Sequence, residues 1–305
     1  MVGDTYRDQV RLLVQVLPFI AEEKSFALKG GTAINLFVRD LPRLSVDIDL
    51  AYLPLNDRAE ALDDIQETLR RIATTIEAGV PGAKVQEGIL SREKTVCKLI
   101  VQNKQRIRVK IEVTPVLRGC VYEPEMRTVS PRVEALFGFA ETTVVSFADL
   151  FGGKIVAALD RQHPRDLFDV RDLLANEGID DDLRRAFIVY LLSHDRPMNE
   201  VITANRKDIA LEYERGFAGM TEQPITLNEL LETREEMIQA VIGNMPEEHR
   251  RFLISFEQGE PMWPLLGLDK VAELPAVRWR QINLDKLGKT ARLELVEKLK
   301  KALGI

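Results

Sequence analysis

Cysteine is nearly absent from this sequence, with only Cys97 and Cys120 in 305 residues. Two thiols make no disulfide framework, and Cys97 sits in an apolar, strand-like run that favours a buried free thiol. Histidine is as scarce: His163, His194 and His249 stand apart without metal-ligand spacing. No apolar run approaches the ~20 residues needed to span a bilayer. The opening stretch MVGDTYRDQVRLLVQVLPF carries Asp4 and no long apolar core, so it does not read as a signal peptide. A soluble cytoplasmic protein without a membrane partner is the expectation. Positive charge is short too, with 42 Lys and Arg against 48 Asp and Glu, a net charge of -6. No global positive field would draw nucleic acid, so any such contact must use a local patch. What is present is 45% hydrophobic and 30% charged residues, enough for a packed core and a solvated surface. The length suits two domains.

Periodicity divides the chain. Residues 6–24 have helical spacing, with Val10, Leu13, Val14 and Leu17 on one face until Pro18 interrupts. SFALKGGTAINLFVRDL follows as a short apolar segment, a double glycine and a helical run from about Thr32. Next, LPRLSVDIDLAYLP alternates Val46, Ile48 and Leu50 with Asp47 and Asp49, the period of a half-buried strand. Asn56 or Asp57 would cap a helix running to about Gly79. TVCKLIVQNKQRIRVKIEVTPV reads as two strands joined at Asn103-Lys104, and a third strand is expected near TTVVSF.

From Ser146 the pattern turns helical. SFADLFGGKIVAALDR opens on a capping-box arrangement of Ser146 and Asp149. Pro164 breaks that helix, RDLFDVRDLLANEG begins another, and Gly178 closes it. Helical runs follow over 181–194, 198–215, 226–243 (with Thr226 and Glu229 as a second capping box), 246–257 and 285–303. The expected fold class is α+β, with a mixed N-terminal domain over 1–145 and a helical C-terminal domain over 146–305.

The acids on the strand carry the first chemical signal. Residues i and i+2 of a strand share a face, so Asp47 and Asp49 stand side by side. Adjacent anions repel unless a cation or a shared proton compensates them. An EF-hand reading fails, because its sixth and twelfth positions hold Tyr52 and Arg58. In RVKIEVTPV, Lys110, Glu112 and Thr114 share one face, so a neighbouring strand can bring a third carboxylate beside the first two. Three such carboxylates can hold a pair of divalent ions for phosphoryl chemistry. Alternatively, Glu112 is a surface residue paired with Arg106 or Arg108.

Gly30-Gly31-Thr32 precedes a helical run, where glycines let backbone N–H groups approach a polyphosphate. The plainer reading is a turn. There is no G-x-G-x-x-G, and Gly153-Lys154 follows Ala148 and precedes Ile155, so it is not a Walker A loop. Lys154 and Arg161 share a helix face, followed by Arg165, Asp166 and Asp169. This set is either a solvated charged face or a source of charge neutralisation and a base beside a triphosphate.

Taken together, LKGGTAINL, RLSVDIDL from Arg43, KIVAALDR and RDLFDVRDLL resemble the four motifs of the AbiEii/AbiGii nucleotidyltransferase toxins of type IV toxin–antitoxin and abortive-infection systems. Order and spacing match over about residues 26–175. The resemblance implies a polymerase-β-like nucleotidyltransferase fold in the N-terminal half and a helical C-terminal half. It implies metal-dependent transfer of a nucleotide from an NTP, with the 3′ end of tRNA as acceptor, blocking translation, and a cognate antitoxin as partner. On matched positions it implies that Gly30, Gly31 and Thr32 cradle the triphosphate and that Asp47 and Asp49 bind Mg²⁺ or Mn²⁺. Lys154 would neutralise the phosphates, with Arg161 nearby in sequence. Asp166 would act in the fourth motif beside Asp169, and Ser45 would precede the acidic pair. Glu112 as a third metal ligand rests on strand alternation alone. Transfer to a protein or small molecule, and a non-catalytic NTP-binding regulator, are the competing readings. For RNA, residues 286–301 hold Lys286, Lys289, Arg292, Lys298, Lys300 and Lys301 against Glu294 and Glu297, a local excess that suits phosphate contacts.

Overall fold

A computed structural model describes residues 2–90, 95–268 and 270–305. The chain forms two compact units, Met1–Ser146 with Gly219–Pro224, and Phe147–Ala218 with Ile225–Ile305.

The first unit is built on a seven-stranded mixed sheet. Its elements are α1 (Val2–Ala21), β1 (Phe26–Lys29), α2 (Gly30–Ala33) running into a π-helical turn over Ile34–Val38, β2 (Asp47–Tyr52), α3 (Arg58–Gly79), β3 (Lys84–Leu90), β4 (Thr95–Gln102), β5 (Arg108–Arg118), β6 (Glu125–Thr128), α4 (Pro131–Phe137) and β7 (Glu141–Val144). The strand order is β3-β4-β5-β2-β1-β7-β6. β2 pairs parallel with β5 and antiparallel with β1, and β1 pairs parallel with β7. β2 is therefore a central strand. Ile48 and Leu50 are fully buried and together stabilise the sheet by about 3–6 kcal/mol, which fixes which face the alternating acids occupy. Helices α1 and α3 pack on the strands through Val10, Leu13, Val14, Leu17, Ile65, Leu69 and Ile72.

Sequence patterns misread several boundaries here. Pro18 does not interrupt the first helix, which runs on to Ala21; so close to the C-terminus a proline breaks little of the ladder. β3 and β6 were not expected. KVQEGIL and EMRT carry too few buried residues for their periods to stand out, and β6 is mostly exposed. The β4–β5 connection is longer than a two-residue turn: the Asn103 side chain accepts from Ile107 N–H, and Arg106 takes a left-handed φ of 65°. Cys97 is buried, and neither cysteine forms a disulfide.

Gly219–Pro224 returns to this unit from late in the sequence. Thr221 bridges Arg43 in antiparallel fashion, Leu44 N–H donates to Met220 O at 3.2 Å, and Glu222 N–H donates to Pro42 O at 3.3 Å. The Glu222 carboxylate is gripped by both terminal nitrogens of Arg132. A single boundary drawn from composition does not capture this strap, since six residues with no regular period carry no signal of a distant partner.

The second unit is helical: α5 (Phe147–Arg161), α6 (Pro164–Asn176), α7 (Asp181–Leu192), α8 (Met198–Thr203), α9 (Ala210–Gly216), α10 (Leu227–Ile238), α11 (Glu247–Glu257), α12 (Pro275–Asp285) and α13 (Lys289–Leu303). α5 packs against α6 and α7, and α13 against α8 and α11, around Phe151, Leu159, Leu173, Phe187, Phe252 and Leu299. The Thr226–Glu229 capping box forms in full. The run read as one helix over 198–215 is two, parted where Ala204 turns left-handed at φ 45°. The run over 285–303 is likewise split, with Gly288 at the N-cap of α13. Among the described residues, no helix is long and apolar enough to cross a membrane.

Candidate active site

The strand β2 presents Asp47 and Asp49 on the face opposite Ile48 and Leu50, both acids half-buried. Register sets their neighbours. Asp49 lies opposite Lys29 on β1 and opposite Glu112 on β5, and Glu112 lies opposite Lys98 on β4. Asp47 lies opposite Lys110. Directly opposed residues share a face, so one row reads Lys98, Glu112, Asp49, Lys29. Two adjacent anions are tolerable there because cations flank them.

The charges respond to this crowding. Burial pushes the Asp49 carboxyl up, and Asp47 and Glu112 push the same way; Lys29 and Lys110 oppose but do not cancel the rise. Burial pulls the Lys29 ammonium down, against the attraction of Asp49, Cys120 and Glu112. Lys29 Nζ also reaches Thr114 Oγ1 at 3.5 Å. Burial works against the Lys110 ammonium too, but its bond to Glu112 and the charges of Asp47 and Asp49 outweigh it.

Beside the acids lies the turn from β1 into α2. Gly30 adopts a left-handed φ of 75°, and a Cβ there would stand 2.7 Å from Asp49 Oδ2. At Gly31 a Cβ would meet Arg43 Nη2 at 2.8 Å and Ser45 Oγ at 3.0 Å. Glycine is required at the first position by conformation as well as space, and at the second a side chain would have to displace the buried Arg43 guanidinium. Thr32 ties the turn to the acidic strand: its hydroxyl donates to Asp47 O and lies 3.1 Å from Ser45 Oγ. Asn35 Nδ2 donates to Gly31 O at 2.8 Å. Gly30, Gly31, Thr32, Ser45, Asp47 and Asp49 are thus brought together. A cleft of about 200 Å³, lined in part by Arg7, Arg43, Arg132 and Phe137, shares Arg43 with this turn. Arg43 was read only as the start of a motif; its burial at 3% exposure is invisible to sequence periodicity.

The donor set fits a hard divalent cation. Such ions take one or two carboxylates and complete their shell with substrate phosphates and water, and the missing side chain at Gly30 leaves the backbone open beside Asp49. Glu112 stands next to them, but its carboxylate is 2.7 Å from Lys110 Nζ. That pairing replaces the expected partners Arg106 and Arg108. Among the described residues no three His, Cys, Asp or Glu side chains gather closely enough to hold a metal. The three-carboxylate cluster is therefore not formed, and the two-aspartate set is the one that remains.

The other motif residues form a cluster within the second unit. Lys154 Nζ lies 2.9 Å from Asp166 Oδ1 and 3.0 Å from Asp169 Oδ2, with the three side chains 6%, 2% and 1% exposed. Arg161 closes on Asp166 with two bonds, from Nε at 2.5 Å and Nη2 at 2.9 Å, and is itself 61% exposed. Burial alone would raise the Asp166 carboxyl; the Lys154 charge and the Arg161 bonds overcome it and hold the group well below the usual carboxylate range. A carboxylate held so low is a weak base, which argues against Asp166 as the proton acceptor. Lys154 is a buried, doubly countered charge, and Arg161 is the cation that meets solvent.

The profile described as nucleotidyl transferase AbiEii toxin, type IV TA system, matches residues 11–280. The chain belongs to the AbiEii family. Membership makes it a nucleotidyltransferase toxin of a type IV toxin–antitoxin system, with an NTP as substrate and a cognate antitoxin. No curated protein sequence matches the chain. Among solved structures it is similar to MenT4, a nucleotidyltransferase toxin from Mycobacterium tuberculosis H37Rv, with TM-score 0.61 and 16% identity over 92% of this chain and 93% of that one. At that identity the likeness is one of fold, and it agrees with the α+β class expected for the AbiEii chain.

Proposed function

We propose that this AbiEii toxin transfers a nucleotide from an NTP to the 3′ end of tRNA, with Mg²⁺ or Mn²⁺ at Asp47 and Asp49, in the cytoplasm. The observation that carries the reading is the pair of aspartates on one face of a central strand, with the Gly30-Gly31 turn packed against the Asp49 carboxylate. In the reaction the acceptor hydroxyl bonds to the α-phosphorus, the α–β bridging bond breaks, and pyrophosphate leaves with the proton passing to solvent. A bound divalent ion would neutralise the triphosphate and lower the pKa of the attacking hydroxyl. The rest falls to the protein. Gly30 and Gly31 admit the phosphates to the backbone, Thr32 and Ser45 hold that turn to β2, and Lys29 and Lys110 set positive charge beside the paired acids. Lys154, Arg161, Asp166 and Asp169 are proposed to be needed for the same reaction.

The tRNA assignment draws on the charge of the C-terminal helices. Lys298 and Lys301 are exposed on α13, and Lys286 sits 5.5 Å from the ring of Trp279, which is 59% exposed. An aromatic face beside cations is the kind of surface that takes single-stranded nucleic acid. Two of the expected cations are already engaged, Lys300 with Glu297 and Arg292 with backbone carbonyls. Incubation with each labelled NTP, Mg²⁺ and total tRNA tests the proposal. Label in the tRNA 3′ end supports it; label only in protein or a small molecule refutes the tRNA acceptor, and no label with any NTP refutes the transfer.

A further inference from the structure

We propose that Arg43 is a positioning residue for NTP binding, acting through the Gly30-Gly31 turn, and that the strap Gly219–Pro224 holds it in place. The inference rests on the nucleotidyltransferase reading above and extends it to a residue that contacts no reacting atom.

Arg43 is 3% exposed. Burying a guanidinium is costly unless the site uses its charge and its planar fork. One arm donates to Leu44 O at 3.1 Å. The other, Nη2, occupies the space a side chain at residue 31 would need. The fork therefore sets the height of the Gly31 backbone and puts a fixed positive charge under the turn that is to receive a polyanion. A lysine would supply the charge as a point on a flexible stem, but not the planar support.

The segment carrying Arg43 does not hold itself in shape. Leu41 is buried and left-handed at φ 60°, directly before Pro42. A bulky residue adopts that conformation only when its surroundings enforce it. Two anchors do so. From inside, Leu41 N–H donates to Asn35 O at 3.0 Å, and the Asn35 side chain in turn grips Gly31 O. From outside, the strap pairs with Pro42 and Leu44 on either side of Arg43. The Glu222–Arg132 ion pair fastens the strap, and Arg132 N–H donates to Asp40 Oδ1 at 3.0 Å, back at the start of the same segment. The contacts thus close a ring from turn to Arg43 segment to strap and back.

The test measures binding of each NTP by calorimetry without any acceptor, beside thermal unfolding. Arg43→Lys is expected to weaken NTP binding at least tenfold while kcat at saturating NTP changes less than threefold. Because a buried lysine can itself lower stability, a second set acts from a distance. Glu222→Arg and Arg132→Glu should each weaken binding about three- to fivefold, the scale of an exposed ion pair, and the swapped double variant should return to within twofold of wild type. Wild-type affinity in Arg43→Lys, with only the melting temperature moved, would reduce Arg43 to a structural residue and overturn the proposal. Single strap variants that bind like wild type would remove the strap from it. If the wild-type protein itself binds no NTP, the nucleotidyltransferase reading fails first and takes this inference with it.

Discussion

Replacing Lys154 with alanine should destabilise the helical unit before it says anything about catalysis. The ammonium lies between two carboxylates that are 2% and 1% exposed, at 2.9 and 3.0 Å. Arg161 continues to pair with Asp166, but Asp169 loses the ammonium beside it. Removing one partner of a buried ion pair costs about 3–5 kcal/mol, because the remaining charge keeps its desolvation penalty. For a unit of this size each kcal/mol lowers the melting temperature by about 2–4 °C, so thermal unfolding followed by circular dichroism should show a fall of roughly 6–20 °C. The gap has a defined pH dependence. Asp166 is held below its unfolded value, so its stabilising contribution is present above about pH 4 and is lost as pH falls through the folded value. The difference between wild type and Lys154→Ala should therefore be largest near neutrality and narrow on acidification below about pH 4. Lys154→Met combined with Asp169→Asn removes one charge of each sign and should recover more than half of the lost stability. A fall of under about 2 °C in Lys154→Ala would refute the buried-cluster account. A double variant that regains stability without activity would assign the Lys154–Asp169 pair to the chemistry as well as to the fold.

Asp47→Ala should abolish nucleotide transfer without changing the melting temperature by more than a few degrees, since the residue buries no apolar side chain; full activity, or full activity in excess EDTA, would remove the metal from the account. Gly30→Ala should cost about 1–2 kcal/mol from the left-handed backbone alone and lose transfer entirely, because the new methyl meets the Asp49 carboxylate; an active Gly30→Ala protein would contradict the packing of the turn. Reversing Lys289, Lys298 and Lys301 to Glu should cut tRNA labelling at least tenfold while leaving NTP binding within twofold. Wild-type labelling should fall steeply between 50 and 200 mM salt, and a flat salt profile would argue against phosphate contacts.

How much of this could be read from the chain differs by element. The Asp47–Asp49 strand was legible because Ile48 and Leu50 need a core, and period two then dictates where the acids go. The helical character of the C-terminal unit was legible for the same reason, through apolar spacing and the Thr226 capping box. For Glu112, alternation gives the face it shares with the aspartates, but it says nothing of Lys110, whose side chain reaches the carboxylate from two residues away on the same strand. For Lys154, spacing alone leaves a solvated face and a charge beside a triphosphate both open. Its burial depends on α5 packing against α6, a tertiary fact that no local window contains. Arg43 and the strap were illegible altogether, since their pairing spans more than 170 positions and uses backbone groups that every residue possesses.

The strap also sets a clock. The first unit lacks one of its own segments until residues 219–224 have been made, about 80 residues after the end of its last strand. At roughly 5–20 residues per second that delay is several seconds, during which the nascent chain holds the sheet and its aspartates but not the clamp on Arg43. For a toxin made on the ribosome, the interval separates synthesis of the strand that carries Asp47 and Asp49 from completion of the strap beside Arg43.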